Sequence, residues 1–395
     1  LGRIMSKTKF LDLGTQPIAN GFLKESDLDK DEYTFNLSVG ICSDTFLVSL
    51  MDFVDPPKMF NESYPFHTSA SPVMESHFKR TSNLLSKLNP DKVMEIGSND
   101  GAFLKNFHPS NAISVEPCSN FARHTQELGY TTYDEFWTQE LADRICSSNG
   151  KQDLIFSANC MCHIPDIEGA FKAVASCLSK DGVFVFEDPS LVFMLMRNSY
   201  DQIYDEHAHI FSLHSLSILL KRAGLKIWKV DVLENVHGGS CRVYAVHENN
   251  PVKKLDSTLM QFERICGINK SGFEIYYSFA RNVQKSKEAL VDALSGLKDK
   301  GKKVISFGAT SKSTTVFNYC GIGNDLIDYI TDRTDDKIGK FSPGKHIPII
   351  AEGVGFDDSV DAAFLGAWNY KDAILTKYSD FKGSWITHVP EVSVI

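Results

Sequence analysis

Ionisable side chains crowd one short stretch of the sequence, residues 201–212, which reads DQIYDEHAHIFS. Five of them fall within six consecutive positions: Tyr204, Asp205, Glu206, His207 and His209. A single histidine is usually a satisfied structural residue, and that interpretation stays open for each histidine here. So dense a group is nevertheless typical of a site that moves protons, because a histidine that titrates near neutral pH and is oriented by a carboxylate can abstract a proton.

A strand-to-helix turn forms the second candidate site, in the segment VMEIGSNDGAFLKNF from Val93 to Phe107. Its apolar start predicts a buried strand that carries Glu95, and Ala102–Leu104 predicts the opening of a helix. Gly97 and Gly101 allow a sharp turn in which the backbone can approach a ligand closely. The turn lacks the Gly-Lys-Ser/Thr ending of a phosphate-binding loop, and an ordinary strand-to-helix connection is the alternative interpretation.

Two further strand ends carry polar residues. Glu116 closes the next apolar strand, and SANCMCHIPD, with Asn159 and His163, follows another. In a doubly wound sheet ligands bind beyond the carboxyl ends of the strands, where an acid that ends the second strand can accept both hydroxyls of an adenosine ribose. This layout predicts an S-adenosylmethionine pocket rather than a nicotinamide pocket, because the turn lacks GxGxxG. The candidate cofactor-binding residues are Glu95, Gly97, Asn99, Asp100, Gly101, Glu116, Pro117 and Asn159.

A third polar group lies in NVHGGSCR, residues 235–242, which offers glycine backbone, His237 and Arg242. The pattern fits a loop that contacts a ligand. It fits a tight hairpin turn between two strands equally well, so both interpretations stay open.

The elements that must position these groups follow an α/β pattern. A chain of 395 residues predicts two or three domains. Residues 76–250 alternate strand and helix signals, which predicts a central doubly wound sheet covered by helices. Residues 251–395 repeat this theme after a long helix, so a C-terminal Rossmann-like α/β domain is expected, while residues 1–75 predict a small N-terminal domain of short strands and turns.

Composition excludes several classes of function. The net charge of −9 and the pI near 5.8 argue against non-specific nucleic-acid binding, which needs a basic face. No run of about 18 apolar residues is present, so no membrane-spanning helix is expected. The nine cysteines are odd in number and scattered, which favours buried thiols in a reducing cytoplasm over a disulfide framework. Cys160 and Cys162 form a CxC pair without a second pair, so we interpret them as core or pocket-wall residues and predict no metal site.

Taken in order, the motifs resemble those of the three-domain sugar C-methyltransferases, which methylate keto-deoxysugars attached to a nucleoside diphosphate. The resemblance spans nearly the whole chain. Its motifs are LDLGTQPIANGFL, EIGSNDG, SANCMCHIPD, IYDEHAHIFS, HGGSCR, FGATSKSTTVFNYCGI, DYITDRTDDKIGKFSPGKHIPI, AWNY and PEVSVI. The resemblance implies a central S-adenosylmethionine-binding methyltransferase domain.

The resemblance also implies roles for the polar clusters. His207 is the candidate base that removes the proton α to the sugar ketone, with Tyr204 close to the keto sugar and Glu206 orienting the base. The resulting enolate needs a donor at its oxygen, for which His163, His237 and Tyr204 are unranked candidates. The carbanion would then attack the sulfonium methyl in line, so positioning supplies much of the rate.

Substrate contacts are expected from the first and third domains. Tyr64 is retained from the family's tyrosine-serine stretch, but Phe66 stands where a second tyrosine is common, which puts the usual sugar in doubt. The Gly308–Lys312 turn would help to hold the substrate diphosphate, although a duplicated domain that only packs is the alternative. The candidate substrate-binding residues are Tyr64, His209, Gly308, Ala309, Thr310, Lys312, Asn318, Arg333 and His346.

The small N-terminal domain of the family resembles a zinc module with two Cys-x-x-Cys pairs. Here Ile4-Met-Ser-Lys carries no cysteine and only Cys42 stands at the second pair, so zinc is not expected. The loss of these ligands gives some weight to a catalytically silent nucleotide-sugar-binding protein, against which the intact EIGSNDG and YDEH motifs argue. An O- or N-methyltransferase acting on a related sugar is the other alternative, and a monomer or weak homo-oligomer is expected.

Overall fold

The computed structural model describes residues 7–252 and 257–395, so most of the cysteine-free stretch at residues 4–7 lies outside the described residues. The N-terminal elements are β1 (Lys7–Pro17), β2 (Thr34–Cys42), β3 (Val48–Leu50), α1 (Pro56–Met59) and α2 (Pro72–Leu85). The strands pair antiparallel in the order β1-β2-β3. Helix α2 begins where the Ser71 side chain accepts the Met74 N–H, and Pro72 fits the first helical position because it has no N–H to satisfy.

The central region forms a seven-stranded sheet. Its elements are β4 (Val93–Ile96), β5 (Ala112–Val115), α3 (Ser119–Glu127), β6 (Thr131–Tyr133), α4 (Gln139–Asn149), β7 (Gln152–Ala158), α5 (Ile167–Cys177), β8 (Leu178–Pro189), α6 (Leu191–Arg197), β9 (His209–Ile210), α7 (Leu213–Arg222), β10 (Leu225–Leu233) and β11 (Ser240–His247). The sheet order is β10-β11-β8-β7-β4-β5-β6, and β9 instead pairs with β3 in the N-terminal sheet.

The chain order reverses around β4, which lies between β5 and β7 in a parallel part of the sheet. All four residues of β4 and of β5 are buried, as expected of parallel strands covered by helices on both faces. This arrangement confirms the predicted doubly wound α/β fold. A crevice for ligands is expected beyond the carboxyl end of β4, at this switch point.

The predicted helix after the β4 turn is wrong. Ala102 and Phe103 remain in the turn, and only a short 3-10 helix, Leu104–Asn106, follows. The Asn106 side-chain amide donates to the carbonyls of both Ala102 and Phe103, which ends the turn locally. Pro109 lies just beyond, and a proline disfavours helical backbone at the residue before it.

The C-terminal region forms a second, six-stranded α/β sheet. Its elements are α8 (Thr258–Cys266), α9 (Glu274–Lys298), β12 (Val304–Phe307), α10 (Ser311–Cys320), β13 (Ile330–Asp332), β14 (Ile349–Ala351), α11 (Glu352–Gly355), β15 (Ala362–Leu365), α12 (Lys371–Lys377), β16 (Ser384–Thr387) and β17 (Ser393–Val394). The order is β14-β13-β12-β15-β16-β17, parallel except for β17.

Packing joins the three sheets. One apolar core contains Phe10 of β1, Tyr276 of α9 and Phe317 of α10. Between the second and third sheets, the buried Trp368 indole N–H donates to Asp201 at 2.5 Å, which fixes the start of the 201–207 loop against the C-terminal region. No helix within the described parts of the chain combines the length and apolar character needed to cross a bilayer.

Candidate active site

A cavity of about 530 Å³ opens beyond the carboxyl ends of the central strands, and all three regions contribute to its wall. Of the predicted residues it is lined by Tyr64, Glu95, Gly97, Asn99, Glu116, Pro117, Asn159, His163, Tyr204, Glu206, His207, His237, Thr310 and Lys312. The turn from Gly97 to Gly101, here called the cofactor turn, and the polar cluster around His207 therefore face one cavity. They are about a hundred residues apart in sequence.

Glu116 holds the cofactor turn together. One of its oxygens accepts the Asn99 N–H at 2.7 Å, and the other accepts the Cys118 N–H at 2.8 Å. Burial raises the pKa of this carboxyl, and the two N–H donors oppose that shift. Because each carboxylate oxygen can accept a further bond, Glu116 still suits a ribose diol.

Position 97 requires glycine because Cys160 lies close to it, whether or not a ligand is bound. Its φ is +73°, and a Cβ at this position would lie 2.6 Å from the Cys160 sulfur. The two other predicted residues of this turn, Asp100 and Gly101, are not among the lining residues. The Asp100 carboxylate accepts the Ser69 N–H, and Gly101 packs against Thr125.

Glu95 presents a buried acceptor to the cavity. Its Oε2 atom has no hydrogen-bond partner, and burial raises the pKa of the carboxyl well above its ordinary value, with Asp100 and Glu116 adding to the shift. A buried acceptor without a partner is costly, so a ligand that donates here would be favoured. The ammonium group of S-adenosylmethionine is such a donor, and Glu95 and Glu116 together fit the cofactor.

Residues 64–69 of the N-terminal region form a covering segment over the cofactor turn. The Thr68 N–H donates to the Asn99 side chain at 3.0 Å, and the Asn99 amide donates back to the Phe66 carbonyl at 2.9 Å. Tyr64, Phe66 and Thr68 consequently line the cavity. The resemblance placed Tyr64 and Phe66 near the substrate, whereas Thr68 was not predicted, because it contacts the turn through its backbone N–H.

His207 is held in one tautomer. Its Nδ1 atom lies 2.6 Å from the Gln202 carbonyl oxygen, which can only accept, so Nδ1 carries the proton and Nε2 keeps its lone pair. Burial lowers the pKa of His207 well below its ordinary value, and the nearby His163 and Lys312 lower it further. The imidazole is therefore neutral near pH 7, as a general base must be.

The predicted orienting role of Glu206 is wrong. Its carboxylate accepts the Asn20 amide at 2.6 Å and the Tyr64 hydroxyl at 2.9 Å, while the Gln202 carbonyl orients His207. Burial raises the pKa of Glu206, and the two donors oppose the shift. Asn20 was missed because it lies 186 residues from its partner, although it falls within the LDLGTQPIANGFL motif.

His163 lies beside His207. Its ring stacks on His207 at 5.4 Å between centroids and on Phe60 at 5.3 Å, and its Nε2 atom is buried without a partner. Burial lowers the pKa of His163 to about 3, and it lowers that of His237 to about 3 as well. The Tyr204 ring lies 4.2 Å from His207, and burial raises the pKa of its hydroxyl.

Two lysines bring positive charge to the wall. Lys312, near the start of α10, and Lys337, in the loop after β13, are both lining residues whose pKa values are lowered by burial. The Lys337 ammonium donates to the Ala309 carbonyl at 2.8 Å. Lys337 was missed, although its place shortly after a strand end is the signal that identified Lys312.

Six predicted substrate-binding residues are not among the lining residues, because other partners occupy them. His209 contacts Ser49 and the Pro165 carbonyl, and Asn318 donates to the carbonyls of Thr314 and Pro343. His346 contacts Glu32 at 2.5 Å, whereas Arg333 is exposed and lies 3.9 Å from Glu352. A Cβ at Gly308 would lie 3.0 Å from the Ala367 Cβ, and the Ala309 N–H donates to Asp332.

Metal ligands are sparse in the described residues. Cys162, His163 and His207 place three potential ligand atoms within 4.8 Å of one another, which could hold a metal ion. In residues 1–75 the sequence has a single cysteine, Cys42, which is buried. The absence of zinc from this region stays a prediction.

Comparison with known proteins finds three family models along the chain. They describe a putative zinc binding domain at residues 4–60, a methyltransferase domain at residues 73–230 and a C-methyltransferase C-terminal domain at residues 235–390. The C-methyltransferase NovU of Streptomyces niveus is 30% identical over 407 aligned positions, which cover 100% of this chain and 96% of that protein.

Solved structures also resemble part of the chain. An S-adenosylmethionine-dependent methyltransferase from Clostridium acetobutylicum ATCC 824 is 16% identical, with a TM-score of 0.34, over 43% of this chain and 92% of that one. Magnesium protoporphyrin IX methyltransferase from Synechocystis PCC 6803, with bound SAH, is 12% identical, with a TM-score of 0.34, over 44% of this chain and 82% of that one.

Proposed function

Because the chain belongs to the S-adenosylmethionine-dependent C-methyltransferase family, we propose that it methylates a ring carbon of a nucleotide-linked 4-keto-deoxysugar. The observation that carries this proposal is the tautomer of His207, whose free Nε2 shares a cavity with the cofactor turn. C-methylation needs a base that removes a carbon-bound proton, and a buried, neutral imidazole meets that need.

Two acidic residues would hold the cofactor, and four further residues would complete its binding surface. Glu95 would accept from the ammonium group, and Glu116 from the ribose, with Gly97, Asn99, Pro117 and Asn159 completing the wall. When bound, S-adenosylmethionine supplies an electrophilic methyl group. Asp100 does not line the cavity, but its carboxylate accepts the Ser69 N–H and so fixes the covering segment.

His207 Nε2 takes the proton α to the ketone, and the electron pair of the broken C–H bond passes to the ketone oxygen as an enolate. His163 is the donor that the site favours for this oxygen, since its buried Nε2 has no other partner. That atom must then carry the proton of the neutral ring. Preorganised donors of this kind stabilise charge that develops in the transition state.

The substrate diphosphate is assigned to the cationic part of the wall. Lys312 and Lys337 supply the charge, and Thr310 and Ser311 present the N-terminal end of α10. Tyr64 would contact the sugar through the side of its ring, because Glu206 already accepts its hydroxyl hydrogen. Phe66 adds an apolar surface at the mouth, which favours a deoxygenated ring position there.

An O- or N-methyltransferase is the second candidate, because a neutral His207 could equally deprotonate a hydroxyl or an ammonium. We also propose the domain limits 1–75, 76–250 and 251–395, a monomer or weak homo-oligomer, a cytoplasmic location and no nucleic-acid partner. The negative net charge of −9 supports the last of these.

Two measurements test the proposal. Calorimetric titration with S-adenosylhomocysteine should show binding that Glu116→Gln weakens, whereas a chain without measurable binding would remove both enzyme functions. With S-adenosylhomocysteine present in D₂O, a thymidine-diphosphate 4-keto-6-deoxyhexose should then exchange its α-hydrogen for deuterium. Binding without exchange on a panel of such sugars would favour O- or N-methylation.

A further inference from the structure

Two cysteines outside the cavity lie unusually close together. The sulfur of Cys146, in the last turn of α4, is 2.8 Å from the sulfur of Cys177, the last residue of α5. The bonded distance in a disulfide is about 2.05 Å, so a shift of well under 1 Å would join them. Neither residue has a part in the proposed reaction.

The surroundings hold both sulfurs in place. The Cys177 thiol lies 3.2 Å from the Ala142 carbonyl oxygen, and the Cys146 thiol lies 3.8 Å from the Ser176 carbonyl oxygen. Both contacts cross between α4 and α5, so each thiol is oriented by the opposite helix. The pair is therefore preorganised by helix packing rather than brought together by a loose loop.

We propose that Cys146 and Cys177 form a thiol-based modification site, which closes to a disulfide when the protein meets a small disulfide oxidant such as oxidised glutathione. The two residues differ in access, which sets the order of steps. Cys146 is half-buried and can be reached from solvent, whereas Cys177 is buried and its pKa is raised by that burial. Cys146 is consequently the attacking residue and Cys177 the resolving one.

The disulfide forms in two thiol–disulfide exchange steps. The Cys146 thiolate attacks one sulfur of oxidised glutathione, forms a mixed disulfide and releases one glutathione thiolate, which takes up a proton. Cys177 then loses its proton and attacks the Cys146 sulfur, which releases the second glutathione. Two protein thiols are oxidised to one disulfide, and one glutathione disulfide is reduced to two thiols.

The position of the pair predicts its consequence. Helix α4 begins beside the cavity-lining Trp137 and Thr138, and α5 begins just after the cavity-lining Asp166. Both cysteines lie at the C-terminal ends of these helices, away from the cavity. The bond would close a loop between residues 31 positions apart without entering the cavity. Oxidation should therefore raise the unfolding midpoint while S-adenosylhomocysteine affinity stays within about twofold.

The test uses the full chain, reduced, freed of reductant and then incubated with oxidised glutathione before alkylation and peptide mass mapping. A cross-linked peptide pair holding residues 146 and 177 is expected, with seven of the nine cysteines still free of that bond. Cys177→Ser should trap glutathione on Cys146, and Cys146→Ser should leave Cys177 unmodified.

Cys266 on α8 provides the matched control, because it is also half-buried and has no cysteine partner among the described residues. It should carry glutathione only, without an internal disulfide. The proposal fails if Cys266 reacts while residues 146 and 177 remain unlinked, or if glutathione stays on Cys146 in the unsubstituted chain. This outcome is independent of the methyl-transfer reaction.

Discussion

The Nδ1 atom of His207 lies 2.6 Å from the carbonyl oxygen of Gln202, five residues earlier in the same loop. A backbone carbonyl cannot change its protonation state, so it fixes the imidazole tautomer more firmly than a titratable carboxylate would. The orientation of the His207 ring therefore does not depend on Glu206, whose oxygens accept from the Asn20 amide and the Tyr64 hydroxyl. His207 and Glu206 thus have separate hydrogen-bond partners, although they are neighbours in the sequence.

The tautomer of His207 can be observed directly. Spectra of the protein labelled with ¹⁵N-histidine should show His207 as a neutral ring protonated at Nδ1 at pH 7, because burial lowers its pKa well below 6.5. The resonance is assigned by its loss in His207→Gln. A ring protonated at Nε2, or a charged ring at pH 7, would contradict the proposed base.

Removal of the base should abolish turnover. His207→Ala is expected to lower kcat by at least about a hundredfold, the usual contribution of a general base, while S-adenosylhomocysteine affinity changes little. His209→Ala is the matched control, because His209 does not line the cavity and its ring contacts Ser49 and the Pro165 carbonyl. A near-normal rate in His207→Ala would remove this residue from the role.

A buried ion network should dominate the stability of the central sheet. Arg242 donates to Glu187 at 2.6 Å and to the Thr81 hydroxyl at 2.6 Å, and His77 contacts the other Glu187 oxygen. Arg242→Met leaves that carboxylate without its cationic partner, so unfolding free energy should fall by about 3–5 kcal/mol.

The control for this prediction is Arg144→Met, which breaks an exposed pair with Glu135. Its loss should cost no more than about 1 kcal/mol. Chemical denaturation measures both variants under the same conditions. Equal losses in the two would show that the Arg242 network contributes no more than a surface pair.

The buried Asp188 predicts a pH dependence of stability. Burial raises its pKa from 3.8 to about 7, so the folded chain holds a proton that the unfolded chain releases. The contribution of Asp188 to stability should therefore fall as pH rises from about 4 to 7, by up to about 1.4 kcal/mol for each pH unit. Asp188→Asn should flatten this part of the profile, and an unchanged slope in the variant would exclude Asp188 as its source.

Much of the central domain could be predicted from the sequence, because local patterns determine it. The apolar runs that became β4 and β5, and the acids at or near their ends, placed Glu95 and Glu116 correctly at the cavity. The rule that ligands bind beyond parallel strand ends identified the segment that carries His163, whereas His207 and His237 came from the polar clusters and the family resemblance.

What the sequence could not predict depends on contacts between distant segments. The covering segment donates to the Asn99 and Asp100 side chains through backbone N–H groups, and Gln202 orients His207 through its carbonyl. The side chains of the covering segment and of Gln202 therefore give no signal of these contacts. In the C-terminal region, the motif alone could not separate Lys312, which lines the cavity, from Asn318, which binds carbonyls two turns along the same helix.

The position of the new methyl group distinguishes C-methylation from O- or N-methylation. The chain is incubated with S-adenosylmethionine carrying a ¹³C-labelled methyl group and with thymidine-diphosphate 4-keto-6-deoxyhexoses, and the product is analysed by NMR. We expect a labelled methyl bonded to the ring carbon next to the ketone, formed at least about a hundredfold more slowly with His207→Ala. A labelled methyl on oxygen or nitrogen would contradict this expectation.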